Sequence, residues 1–336
     1  MTTRVTPMRP LAAAASLALL FAACTTEEAS NPGPTLTTVA STTSTTAAPP
    51  TSTTVAPTTV EPVESTTTPP TTLADGPTEA LVPLFIGGAG GAGWLFLGAW
   101  QQDRWQSSTD PSGNPIRPGG EAGTSFTVSN LDGETPVVLG ENTEACFDDR
   151  VGPSIDVEVA EPDPPGFGYN AVAVITQPWA LKPRPVAVTS TAPDAYRTLG
   201  VEAFAEEPVD ATQGAIGQLV VADLDGDGDD EALVAFEFVQ PGIGVGVPGD
   251  LAALLAIDVQ TRATETILLS TVDQDAEDDG TFGLIERYRV LDVADLNGDG
   301  RMEVLVHAWY YEGAAVLVYS YDGTGFTEVL ATGCGA

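Results

Sequence analysis

One sixteen-residue pattern occurs twice, 72 residues apart, and it constrains the fold more than any other feature. Leu219-Val-Val-Ala-Asp-Leu-Asp-Gly-Asp-Gly-Asp-Asp-Glu-Ala-Leu-Val234 aligns without gaps on Leu291-Asp-Val-Ala-Asp-Leu-Asn-Gly-Asp-Gly-Arg-Met-Glu-Val-Leu-Val306, and 11 of 16 positions are identical. Self-similarity at a fixed period marks architectures in which one supersecondary unit stacks on its neighbours. Each copy reads as strand, acidic Gly-rich loop, strand, because short β-branched runs flank the loop on both sides. The loops must also carry chemistry. Six acids fall between Asp223 and Glu231, and carboxylates packed so closely repel one another unless a cation joins them.

The loop pattern is D-x-[DN]-x-D-G-x-x-E. Calcium is a hard cation that takes about 6–8 oxygen ligands. Alternate residues at loop positions one, three and five can turn side-chain oxygens onto one centre, and Gly at position six permits the backbone reversal that keeps the loop wrapped. The residue at position seven offers its carbonyl, and the closing carboxylate comes at position nine. An EF-hand places that carboxylate later and between two helices, so the early closure and flanking strands point to a hairpin loop instead. The pattern resembles the calcium-binding loop of FG-GAP and VCBS repeats, the units of integrin-type β-propellers. That resemblance implies two Ca2+ sites, the first from Asp223, Asp225, Asp227, the Asp229 carbonyl and Glu231, the second from Asp295, Asn297, Asp299, the Arg301 carbonyl and Glu303. It also implies an all-β, propeller-like domain of roughly four to five blades, or a partial and irregular propeller, with the repeats at 219–239 and 291–321. A third, decayed copy is expected at Val128-Ser-Asn-Leu-Asp-Gly133, followed by Val137-Val-Leu139.

Further strands are expected at Ala171–Thr176, Pro185–Thr189, Ala232–Val239, Glu303–Trp309 and Ala315–Tyr321, which are short, β-branched or aromatic, and separated by Gly, Pro and Asp. Asp322-Gly323 followed by Gly325 reads as a hairpin turn. Pro162, Pro164 and Pro165 disfavour a long helix in that region, and Leu251–Ile257 fits a short helix or a strand equally well. Gly88-Ala-Gly-Gly-Ala-Gly93 matches the dinucleotide fingerprint only literally, since a strand-like Trp94-Leu-Phe-Leu97 follows where that motif needs a helix. The uncharged stretch Leu81–Trp100 reads as a Gly-rich approach to a buried first strand rather than a membrane span. The acidic run Asp273–Gly280 has charge without ligand spacing and reads as an exposed loop.

Residues 1–24 read as an export signal: Arg4 and Arg9 precede an apolar stretch too short to span a bilayer as a helix. Its end, Phe21-Ala22-Ala23-Cys24, resembles the lipobox of bacterial lipoproteins, which implies that Cys24 is lipidated and that the lipid bilayer is a partner on the extracytoplasmic face of the cell membrane. Residues 25–78 read as a disordered linker. Over 25–74, 32 of 50 residues are Thr, Ser or Pro, with no aromatic residue, Lys or Arg, so ordering would gain too little apolar burial to offset its entropy. The folded part is expected at 79–336. In an oxidising compartment the remaining cysteines, Cys146 and Cys334, are expected to pair.

The charge balance, 47 acids against 12 bases and a formal net charge of −35, excludes nucleic-acid binding through phosphates. No nucleophile elbow, zinc-protease motif or phosphate loop is present in the sequence, and the single histidine, His307, reads as a packed or surface strand residue rather than a catalyst. The expectation is therefore a surface-anchored, calcium-stabilised module that binds an extracellular protein, a glycan or a wall component. An extracytoplasmic hydrolase using unmarked carboxylates and a structural envelope spacer are the alternatives.

Overall fold

Strands buried on both faces read as unbroken apolar runs rather than alternating ones, and Leu251-Ala-Ala-Leu-Leu-Ala-Ile257 is such a run, with all seven residues buried. In the computed structural model it is a strand, which settles the ambiguity of that segment by sandwiching it between two layers. The structure describes residues 81–87, 93–109, 121–146, 150–157, 169–189, 192–240, 245–273 and 283–335. All of these lie in one unit, Pro69–Ala336. The export signal with Cys24, the 25–78 linker, residues 88–92, the prolines at 162, 164 and 165, and residues 274–280 lie outside the described residues.

The described residues form an all-β fold with three antiparallel sheets. The N-terminal sheet contains β1 (Val82–Gly87), β2 (Leu95–Gln101), β3 (Arg104–Ser107), β4 (Ser125–Asn130), β5 (Gly133–Cys146), β6 (Arg150–Ile155) and β7 (Ala171–Ile175), in the spatial order β3-β2-β1-β7-β4-β5-β6. The second sheet is entered through β8 (Val186–Thr189). After the helix α1 (Asp194–Glu202) it continues as a meander through β9 (Ala215–Ala222), β10 (Glu231–Phe238), β11 (Leu251–Asp258) and β12 (Thr264–Thr271). The third is a meander of β13 (Arg287–Ala294), β14 (Glu303–Tyr310), β15 (Gly313–Tyr321) and β16 (Phe326–Gly335). The two repeats therefore occupy equivalent places: each acidic loop joins the first strand of a four-strand meander to the second.

The third sheet is the middle layer. Val290, Val293, Val304 and Val306 on one face meet Val220, Leu233 and Leu254 of the second sheet. Leu291, Leu305, Val316 and Val318 on the other meet Leu84, Leu97, Val172 and Val174 of the N-terminal sheet. Each such side chain withdrawn from water contributes about 1.5–3 kcal/mol before entropy is counted, which is why both faces of β14 are apolar. Helix α1 covers the outer face of the second sheet with Tyr196 against the cluster of Phe236, Leu251 and Leu255. It comes this close because Gly200 has no Cβ, which would lie 2.5 Å from the Phe236 ring. The Gln218 side chain of β9 closes the seam between the sheets by donating to the Val290 carbonyl (3.0 Å) and accepting from the Val290 N–H (2.7 Å).

Cys146 at the end of β5 and Cys334 in β16 lie at bonding distance, with Cα atoms 5.9 Å apart and 188 residues between them in sequence. A closed loop of that length contributes about 5 kcal/mol in the chain-entropy picture. Two expectations need correction. The Leu81–Trp100 stretch holds two paired strands, β1 and β2, rather than one. The proposed third repeat is a tight β4–β5 hairpin, Asn130 pairing directly with Gly133. Asn130 Oδ1 accepts from the Asp132 and Gly133 N–H groups, so no room remains for a nine-residue loop. Helix α1 had no counterpart in the sequence reading.

Candidate functional site

The two acidic loops fold onto the same hydrogen-bond frame. In the first, Asp223 accepts from the Gly226 N–H (2.6 Å) and the Gly228 N–H (3.2 Å), Asp225 from Asp227 N–H (3.2 Å), and Asp227 from Asp229 N–H (2.8 Å). Glu231 reaches back to the Leu224 N–H (2.9 Å). In the second, Asp295 accepts from Gly298 N–H (2.6 Å) and Gly300 N–H (3.0 Å), Asn297 from Asp299 N–H (2.9 Å), Asp299 from Arg301 N–H (2.8 Å), and Glu303 from Leu296 N–H (2.9 Å). The glycines at positions four and six make this wrap possible: Gly226, Gly228, Gly298 and Gly300 have φ of 84°, 97°, 80° and 86°, a region that side-chain-bearing residues avoid.

The frame brings the first-loop ligands together. One carboxylate oxygen from each of Asp223, Asp225 and Asp227 lies within 4.8 Å of the others. Oxygens sharing one calcium at about 2.3–2.6 Å lie at most about 5 Å apart, so this spacing and the all-oxygen, anionic donor set fit a hard divalent cation. The Glu231 carboxyl is buried and pushed up to about 7, first by desolvation and then by Asp225, Asp227 and Asp223. In the second loop Glu303 is completely buried, and desolvation, with Asp299 and Asp295 adding to it, holds its carboxyl well above the usual range. Burial likewise pushes Asp295 up to about 6. The Asn297 amide donates to Asp299 (3.3 Å) and Glu303 (3.2 Å). Neutral hydrogen bonds thus take up, in the second loop, part of the anionic charge that three carboxylates leave facing one another in the first.

The segment between β7 and β8 supplies residues that the sequence reading missed. Arg184 donates to the carbonyls of Asp223 (2.5 Å) and Leu224 (2.8 Å) in the first loop and of Gly300 (2.7 Å) in the second. The loops also touch directly, Met302 N–H donating to the Leu224 carbonyl (2.8 Å). Trp179 donates its indole N–H to the Asp295 carbonyl (3.0 Å). Its ring packs over Gly298, where a Cβ would lie 2.9 Å away. The Leu181 carbonyl accepts from Asp295 N–H (2.6 Å). Lys182, the one lysine of the chain, stands 3.0 Å from the fully buried Asp292 and donates to the Asn130 carbonyl. A groove of about 450 Å³ opens along this segment, lined by Leu131, Asp132, Lys182, Arg184 and Val186 among others. The signal available was compositional: in so acidic a chain, two cations in Lys182-Pro-Arg184-Pro stand out.

His307 is buried in β14, its ring stacked on Trp309 (centroids 5.0 Å apart) and edge-on to Tyr169 (6.0 Å). Comparison of the chain with protein-family models, with curated proteins and with solved structures found no match.

Proposed function

We propose that this chain is a calcium-stabilised binding module of the bacterial cell envelope, held outside the membrane by a lipid on Cys24 and the Thr/Pro-rich linker, with a protein, glycan or wall component as its partner. The observation that carries the calcium part is the repeated frame, two loops of one spacing and one hydrogen-bond pattern, each joining the first two strands of a meander, of which the first brings the carboxylates of Asp223, Asp225 and Asp227 within 4.8 Å of one another. Asp223, Asp225, Asp227, the Asp229 carbonyl and Glu231 would hold one ion. Asp295, Asn297, Asp299, the Arg301 carbonyl and Glu303 would hold the other. The ions supply charge neutralisation rather than chemistry on a substrate. The stacking of the two meanders, each with such a loop between its first two strands, supports the partial propeller that the resemblance implies, with the N-terminal sheet in place of further regular blades.

The test is thermal unfolding in excess chelator and in millimolar calcium, with calorimetric titration. If free calcium exceeds the dissociation constant about 100-fold, each site contributes roughly 2.7 kcal/mol. Superimposable melting curves with no heat of binding would sink the calcium reading. The anchor is tested separately: Cys24→Ser should release the protein from membranes or stall its processing, and a soluble mature wild-type chain beginning after residue 24 would overturn it.

A further inference from the structure

We propose that the two loops bind calcium as a coupled pair, with Arg184 as the residue that couples them; this rests on the calcium reading above. The guanidinium bonds both loops at once, to the Asp223 and Leu224 carbonyls on one side and the Gly300 carbonyl on the other. Those carbonyls sit inside the ligand-bearing stretches. Asp223 is the first ligand of its loop, Leu224 stands between two ligands, and Gly300 precedes the residue whose carbonyl completes the second site. The Met302 N–H to Leu224 carbonyl bond adds a direct backbone link.

Binding an ion to either loop therefore fixes carbonyls held by the same guanidinium that holds the other loop. An ion that orders one loop lowers the conformational entropy its neighbour must still lose, and this makes the second binding event tighter. Repulsion between the two ions acts against this coupling, so tighter second binding is the net of ordering over repulsion. A planar guanidinium suits the coupling role because it spans several carbonyls in a fixed fork, which an ammonium does not. Trp179, one of five tryptophans and bonded to the Asp295 carbonyl, reports on the second loop as that part of the calcium-induced fluorescence change which Trp179→Phe removes.

The experiment disables one loop and measures the other. Asp227→Ala and Asp299→Ala change exposed ligands, so each removes one site with little disturbance of the core. Calcium titration by calorimetry and by Trp179 fluorescence should show the surviving loop binding at least about fivefold more weakly than it does in the intact chain. Linkage requires the same factor in both directions. Arg184→Gln should bring that factor close to one, and Arg184→Lys, which keeps the charge and loses the fork, should do the same. Unchanged or tighter binding by the surviving loop overturns the coupling. Full coupling in Arg184→Lys overturns the role of the fork. If the Gln variant does not fold, the two loop variants and Arg184→Lys still decide the matter. Two sites that bind calcium independently leave the calcium reading standing while this inference falls, whereas no binding in the intact chain removes both.

Discussion

The two loops share a sequence frame and a hydrogen-bond frame, yet they sit in different electrostatic worlds. In the first, Asp225 is only partly covered, Asp227 and Asp229 are exposed, and the carboxylates of Asp223, Asp225 and Asp227 face one another with Arg184 as the adjacent cation. Its field reaches outward: burial and then Glu231, Asp225, Asp258 and Asp227 push the Tyr321 phenol up to about 12. In the second, Asp295 and Glu303 are buried, Trp179 and Leu181 cover the loop, and Asn297 and Arg301 replace two acids. The comparison teaches that spacing sets the ligand geometry while the surrounding layers set the cost. On the calcium reading proposed above, the first loop would attract the ion more strongly, and the second, held by its own hydrogen bonds, would have to exchange its Asn297 amide contacts to accept one.

The largest effect should come from the one core position where the repeats differ in kind, Val220 in the first and Asp292 in the second. Lys182→Ala strands the wholly buried Asp292 carboxylate without its ion-pair partner. It should cost about 3–5 kcal/mol, on the order of 10 °C in melting temperature. Lys182→Met combined with Asp292→Val, which restores the first repeat's pattern, should recover most of that stability. A double variant as unstable as the single one would show that the pair does more than offset its own burial.

Next in size are the position-one aspartates. In chelator, Asp295→Ala should destabilise by about 1–3 kcal/mol, because it leaves the Gly298 and Gly300 N–H groups of a covered loop without acceptors. Asp223→Ala should cost less, since its loop is open to water and loses a repelling charge. In saturating calcium each variant loses one site, so the difference between them narrows. Equal destabilisation in chelator would break the comparison at its root.

The pH dependence should be of opposite sign with and without calcium. The folded-state carboxyls of Asp295, near 6, and Glu231, near 7, are raised, and burial holds Glu303 well above the usual carboxylate range. Without calcium the folded state therefore holds protons that the unfolded chain has released. These groups favour folding at about pH 4 and below, and that contribution is lost as pH rises from about 4 to 7. Calcium needs the ionised forms, so its affinity should rise over pH 5.5–7.5, by about tenfold per unit for each proton displaced. Calorimetry in buffers of different ionisation enthalpy measures those protons directly. Pure calcium affinity without proton release at pH 6 would contradict the assignment. The smallest effect concerns rates: raising ionic strength should slow calcium capture by the exposed first loop more than by the covered second, because screening acts mainly on exposed charge. Stopped-flow mixing of the Asp227→Ala and Asp299→Ala variants separates the two.

The sequence by itself determined the all-β class, the strands around both loops, the equivalence of the two repeats and the Cys146–Cys334 pairing. These follow from local pattern: apolar runs, alternating oxygens, Gly where φ turns positive, and two thiols left for one bond. It misjudged the Asn130 hairpin, because a Leu-Asp-Gly triplet satisfies a two-residue turn as readily as a long loop. It passed over helix α1, whose Gly200 matters only against Phe236. Arg184, Trp179 and Lys182 could not be assigned from their neighbours at all. Their partners lie 39 to 116 residues away in Asp223, Gly300 and Asp295, and 110 away in Asp292. Only the stacking of three sheets, which buries the middle one on both faces and draws the β7–β8 segment across its end, brings those charges and carbonyls within hydrogen-bond range. Local periodicity fixes which residues face inward; which inward face meets which is decided by long-range packing, and no local pattern encodes it.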